Sequence, residues 1–120
     1  MQLPDQGMVN YWRLAENRIF YVDYEIDESI MELQRAILAI NIADADKPFS
    51  DRKKIVVMIN SPGGLLTETM SVAMSMVTSV TPVVTVNIGA VYSGGALLLL
   101  AGHERYAFKY AKTMIHTGYT

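Results

Sequence analysis

The sequence contains no cysteine, which excludes disulfides and thiolate metal sites, and nothing in its thiol inventory argues for secretion. Charge of either sign is scarce. Only 18% of residues are charged, ten basic against twelve acidic, for a net charge of −2. No basic stripe exists, which argues against nucleic acid as a partner. There are two histidines and no clustered carboxylate pair beside them, so no metal site is expected. Met58, Met70, Met74 and Met76 read as adaptable core filling rather than as a ligand set. Long apolar runs are also missing. The longest, 83–101, is interrupted by Asn87, Ser93 and several glycines, and makes a poor membrane span. The first residues, Met1-Gln2-Leu3-Pro4-Asp5, lack the basic and apolar blocks of a signal peptide. A soluble, cytoplasmic protein without membrane contact is the expectation.

What is present is a high apolar content, 51% over 120 residues, enough for a single domain, 1–120, with a real core. The excess suits parallel strands buried on both faces, or a subunit that hides surface in an oligomer. Strand and helix patterns alternate along the chain. Residues 18–24 are aromatic and β-branched and read as a strand. Ser29 with Glu32 matches a capping box, followed by Ile30, Leu33, Ile37 and Ile40 at helical spacing. The charged stretch 44–54, with Pro48, reads as a surface loop. Residues 55–59 form a short apolar run, the mark of a buried strand. Leu66, Met70, Ala73, Met74 and Val77 then fall on one helical face, and Pro82 ends that helix. Residues 83–88 give a third strand, 96–101 a helix, and 106–108 and 113–115 short strands. The order predicts an α/β fold of repeated β-α-β units on a mostly parallel sheet, with right-handed crossovers.

Three segments carry chemistry. Ser93 lies in Gly89-Ala90-Val91-Tyr92-Ser93-Gly94-Gly95-Ala96, between a strand and a helix, where its hydroxyl projects beside unpaired N–H groups. Serine is also a preferred helix N-cap, and the local pattern leaves both readings open. The turn Asn60-Ser61-Pro62-Gly63-Gly64 ends a strand, where open α/β sheets place ligands, yet two glycines can simply turn the chain. His116, in Met114-Ile115-His116, is a possible base or a structural histidine. His103 sits in the polar turn 102–105 and reads as a solvated side chain.

The ordered set of these segments resembles the proteolytic subunit of the Clp protease, a serine peptidase family on the crotonase-like fold. Residues 59–64 resemble its oxyanion turn, and the spacing of Gly89, Gly95 and Ala96 about Ser93 resembles the surroundings of its nucleophile. Leu98 to Gly102 is similar to the helix behind that serine, and Met114-Ile115-His116 to the strand carrying the histidine. Tyr11-Trp12-Arg13-Leu14 and Arg18-Ile19-Phe20 resemble its N-terminal helix and first strand. The resemblance implies Ser93 as nucleophile, His116 as general base, and the backbone N–H groups of Gly64 and Gly94 as the oxyanion hole. It implies no cofactor. As partners it implies a homo-oligomeric ring, heptameric or tetradecameric, an AAA+ ATPase unfoldase, and unfolded polypeptide as substrate. At position 94 the family commonly has methionine rather than glycine. Its triad aspartate lies several tens of residues past the histidine, so the chain is expected to correspond to the N-terminal two-thirds of such a subunit, truncated at its C-terminus. Two other readings stay open: a catalytically inactive ring partner or fragment, and a crotonase-fold enzyme acting on acyl-CoA. Against the latter, neither glycine turn carries a general-base glutamate; Glu68 reads as a solvated helix residue.

Overall fold

The structure, a computed structural model, describes residues 3–115. Helix α1 (Gln6–Glu16) begins where the Asp5 carboxylate accepts a hydrogen bond from Met8 N at 2.8 Å, a side-chain N-cap. It ends at Asn17, and Arg18, at φ 61°, turns the chain into strand β1 (Ile19–Val22). A 3₁₀ turn (Glu28–Ile30) leads into α2 (Met31–Asp44). The expected capping box is not formed. Asp27 caps the turn instead, accepting from Ser29 N and from the Ser29 hydroxyl, while Glu32 pairs with Arg35 on the surface. The aspartate stands two residues before the serine, so the serine becomes its donor rather than the cap.

Strand β2 (Ile55–Ser61), helix α3 (Leu66–Val77), strand β3 (Val83–Tyr92), helix α4 (Gly94–Leu100) and strands β4 (Glu104–Ala107) and β5 (Lys112–Met114) follow. The five strands form one sheet in the order β1-β2-β3-β4, and β5 also pairs with β3. Every pairing is parallel. Strand β3 is long enough to hold two edge strands in series. Its residues 84–87 pair with β4 and its residues 90–92 with β5.

Alternation along β2 shows where the core lies. Ile55, Val57 and Ile59 are fully buried, and with Val22, Val83 and Val91 they join Ile30, Leu33, Ile37, Val72, Met76 and Leu98 in one cluster. The intervening Val56 and Met58 are only half-buried. Strand β2 is thus buried on one face only, whereas consecutive residues Val83, Val84 and Thr85 of β3 are all buried, as expected of a strand covered on both faces. Helices α2, α3 and α4 contribute to the cluster, and α1 packs beside β1.

Helix α3 corrects the sequence reading more sharply. Its buried stripe is Thr69, Val72, Ala73 and Met76, whereas Leu66, Met70, Met74 and Val77 are 43–65% exposed. The apolar pattern runs round most of this helix, and the inward stripe was masked by a threonine. Thr69 enters the core because its hydroxyl donates to Leu65 O at 2.6 Å and leaves nothing polar unpaired. Of the methionines read as core filling, only Met76 is fully buried. Polar bonds lace α2 to α3: Gln34 donates to the hydroxyls of Ser71 and Ser75, and Asn41 to that of Ser79.

The stretch read as a surface loop starts with a buried charge. Asp44, the last residue of α2, is 0% exposed. It accepts two hydrogen bonds from the Arg18 guanidinium, at 2.6 and 2.8 Å, and one from the Thr81 hydroxyl at 2.6 Å. Arg18 also donates to Lys53 O. Arg18, Lys53 and Thr81 all lie just before strands, so this cluster ties together the N-terminal edge of the sheet. The Arg18 hydrogen bonds hold the Asp44 carboxyl well below the usual carboxylate range, against the opposing effect of its burial.

Candidate active site

At the opposite, C-terminal edge of the sheet the two glycine-bearing turns meet. Strand β2 ends at Ser61, whose buried hydroxyl donates to Tyr24 O at 2.7 Å and accepts from Gly63 N at 3.1 Å. The hydroxyl therefore shapes the turn rather than facing a substrate. Gly63 has φ 101°, a left-handed conformation that a side chain would strain. A Cβ there would also lie 2.8 Å from Gly94 N and 3.0 Å from Ser93 Cβ. This contact shows that the turn after β2 and the turn after β3, 30 residues apart in sequence, are packed backbone against backbone.

Gly64 bridges to Ile26: Ile26 N donates to Gly63 O at 2.8 Å, and Leu65 N donates to Ile26 O at 3.0 Å. In a parallel bridge of this kind the central residue's own N–H is directed away from its partner. A Cβ on Gly64 would collide with the Ile26 backbone.

Ser93 links β3 to α4 at φ 54° and ψ −116°, one of two described non-glycine residues with positive φ. Such a conformation costs about 1–3 kcal/mol and persists only where surrounding contacts enforce it. Ser93 occupies the N-cap position, yet its side chain makes no capping hydrogen bond. The capping reading of this serine is thereby corrected. What holds the residue is backbone: Ser93 N donates to Met114 O at 3.1 Å, and Ser93 O accepts from Leu97 N at 3.1 Å. Gly94 follows, buried against Thr69 and Gly63.

His116 lies outside the described residues. Strand β5 places Met114, two positions before it in sequence, beside Tyr92. His103 is exposed, as expected, yet its ring is fixed by hydrogen bonds rather than free in solvent. Its Nδ1 accepts from Val83 N at 2.9 Å, and its Nε2 lies 3.2 Å from Val77 O. Both ring nitrogens are thus engaged at the start of β3, about 30 Å along the strand from Ser93 at the usual rise per residue. It belongs to the other edge of the sheet.

Two residues of the site were given no role of their own in the sequence reading, though Asn60 lay within the turn it named. Between Ile59↔Asn87 and Ser61↔Val91 the β2–β3 register shifts, with more residues on β3 than on β2. The Asn60 side chain spans this bulge, accepting from Ala90 N at 3.1 Å. Asn87, fully buried, bonds across to β5. The available signal was a polar amide inside or at the end of an otherwise apolar strand. Among the described residues no group of three or more His, Asp or Glu side chains gathers in metal-binding fashion, and no helix is long and apolar enough to cross a membrane.

The fold is similar to that of the crystal structure of the ClpP protease catalytic domain from Plasmodium falciparum, with a TM-score of 0.81 at 23% sequence identity. The superposition covers 99% of this chain and 66% of that one. A family model described as Clp protease matches residues 5–120. That match includes both turns, the strained serine between β3 and α4, and the strand that runs beside it; the chain belongs to the Clp protease family.

Proposed function

We propose that this chain is a Clp-type serine endopeptidase subunit that cleaves peptide bonds of unfolded polypeptide through an acyl-enzyme on Ser93. The observation that carries the reading is the conformation of Ser93, held at positive φ against the Gly63-Gly64 turn with its side chain withheld from capping α4. In this reading the Ser93 hydroxyl oxygen attacks the scissile carbonyl and its proton passes to His116. The Gly64 and Gly94 N–H groups receive the resulting oxyanion. Collapse of the tetrahedral intermediate returns the proton to the leaving amine, and water then hydrolyses the ester by the same steps. Each such N–H donor contributes about 10²–10³ in rate. Support for Gly64 comes from its bridge to Ile26, which turns its N–H away from that partner. Support for His116 comes from the register that sets Met114 beside Tyr92.

Assembly into a homo-oligomeric ring fed by an AAA+ unfoldase in the cytoplasm completes the proposal. It is supported by the exposed apolar stripe of Leu66, Met70, Met74 and Val77 on α3 and of Leu38 and Ile42 on α2, since such surface usually marks an interaction site. A fluorophosphonate probe tests the chemistry. Labelling of wild type that is lost in Ser93→Ala and strongly reduced in His116→Ala is the expected result. Undiminished labelling of Ser93→Ala would place the nucleophile elsewhere.

A further inference from the structure

Asn87 is an amide with no exposed surface in the middle of an apolar strand, and every hydrogen bond of its side chain concerns one junction. Its Nδ2 donates to Lys112 O at 2.8 Å and to the Thr113 hydroxyl at 3.1 Å. Its Oδ1 accepts from Gly89 N at 3.0 Å. Its backbone carbonyl accepts from Phe108 N at 2.9 Å, immediately after β4 ends. One residue therefore terminates β4, shapes the bulge before Ala90 and grips the first two residues of β5.

Strand β5 has little else to fix its register. It is three residues long, pairs with β3 alone among the described residues, and all three of its residues are exposed. No buried side chain on it opposes a slip, and register is weakly specified where no face is buried. A slip by one residue would remove Met114 O from Ser93 N, the backbone bond that helps hold the serine at φ 54°.

We propose that Asn87 is a positioning residue for the nucleophile. By locking β5 in register it fixes the Ser93 backbone and sets the chain that leads on to His116 alongside it. This inference rests on the serine-peptidase reading. A displacement of about 1 Å at a reacting group costs up to ~100-fold in rate, so a loosened strand has a measurable consequence without unfolding the core.

The test uses the full chain with two readouts, amide hydrogen exchange at Ser93 and the rate of fluorophosphonate labelling. In Asn87→Ala and the isosteric Asn87→Asp, which cannot donate to Lys112 O, exchange at Ser93 should quicken about tenfold or more, as expected for local opening. Labelling should slow roughly ten- to a hundredfold, and hydrolysis of a short fluorogenic peptide should lose kcat with KM little changed. Thr113→Val, at an exposed position that tolerates the change, should move both readouts in the same direction by less. Asn41→Ala, which cuts comparable amide bonds in the α2–α3 seam, should lower the melting temperature and leave both readouts alone. Unchanged Ser93 exchange in both Asn87 variants and in Thr113→Val overturns the proposal, as does fast exchange with labelling at the wild-type rate. If wild-type Ser93 is never labelled, the peptidase reading itself fails. In that case quickened exchange in Asn87→Ala preserves only the strand lock and removes its catalytic meaning.

Discussion

The two ends of the parallel sheet solve the problem of exposed strand termini in opposite ways. At the N-terminal edge, side chains close the structure: Arg18, Asp44 and Thr81 satisfy one another, and His103 caps the start of β3. At the C-terminal edge, backbone meets backbone through Gly63, Gly64 and Gly94, and a serine is kept in a costly conformation. One edge is closed by paired polar side chains, with Asp44 and Thr81 fully buried. In the proposed reading, the other presents N–H groups and the Ser93 hydroxyl to a substrate. The buried ion pair thus lies at the edge away from the proposed chemistry.

The sharpest way to separate the edges is to damage each in turn. Ser93→Ala should reduce peptide hydrolysis and probe labelling by at least about three powers of ten, the scale seen when a triad member is removed, while thermal unfolding shifts little. A large loss of melting temperature in this variant would mean that the serine is a structural residue and that the edges are not distinct. Asp44→Asn should do the reverse. Leaving Arg18 without its carboxylate in a buried site costs about 3 kcal/mol, read as a lower denaturation midpoint. Labelling of the folded protein should be unchanged.

The same pair makes the N-terminal edge sensitive to acid. The folded-state pKa of Asp44 is depressed, first by the Arg18 hydrogen bonds, so its contribution is fully present above the ordinary aspartate value of about 4. That contribution is lost as pH falls through the depressed value. Urea midpoints measured downward from pH 5 should therefore fall more steeply for wild type than for Asp44→Asn. Parallel curves would assign the acid response to other groups.

Gly63→Ala probes the seam from the reactive side. The left-handed φ and the contact with Gly94 N should together cost about 2 kcal/mol, with labelling slowed because Ser93 must shift. Equal labelling with lower stability would show that the two turns are mechanically independent. The smallest effect belongs to His103→Ala, about 1 kcal/mol for the lost bond to Val83 N, and fluorophosphonate kinetics should not register it.

The alternation of elements was legible because each strand and helix is bounded by its own punctuation, such as Pro82 before β3 and the Gly94-Gly95 pair opening α4. The meeting of the two turns was not visible in composition or periodicity. It depends on a close approach between residues 30 apart, and only the ordered motif set about Ser93 pointed to it. The inward face of α3 was misread because apolar residues ring that helix, and a threonine with a locally satisfied hydroxyl passed as polar. Asp44 was misread for the converse reason. A charge followed by a charged, proline-containing stretch looks solvated until its partner, Arg18, arrives from 26 residues away. Asn87 went unassigned because a single amide in an apolar strand looks like an interruption, and its partners on β5 lie 25 and 26 positions downstream.

The hydroxyl of Ser61 has a consequence for reagent selectivity. It lies in the turn that packs against Ser93, so a serine-directed electrophile arriving at this edge meets two hydroxyls rather than one. Ser61, however, has its proton committed to Tyr24 O, accepts from Gly63 N, and is 2% exposed. To react it would have to surrender both bonds and dismantle the turn that holds Gly63 and Gly64. Covalent reagents can therefore be tuned for reactivity without losing site discrimination at this edge, because the neighbouring serine is silenced by its own hydrogen bonds.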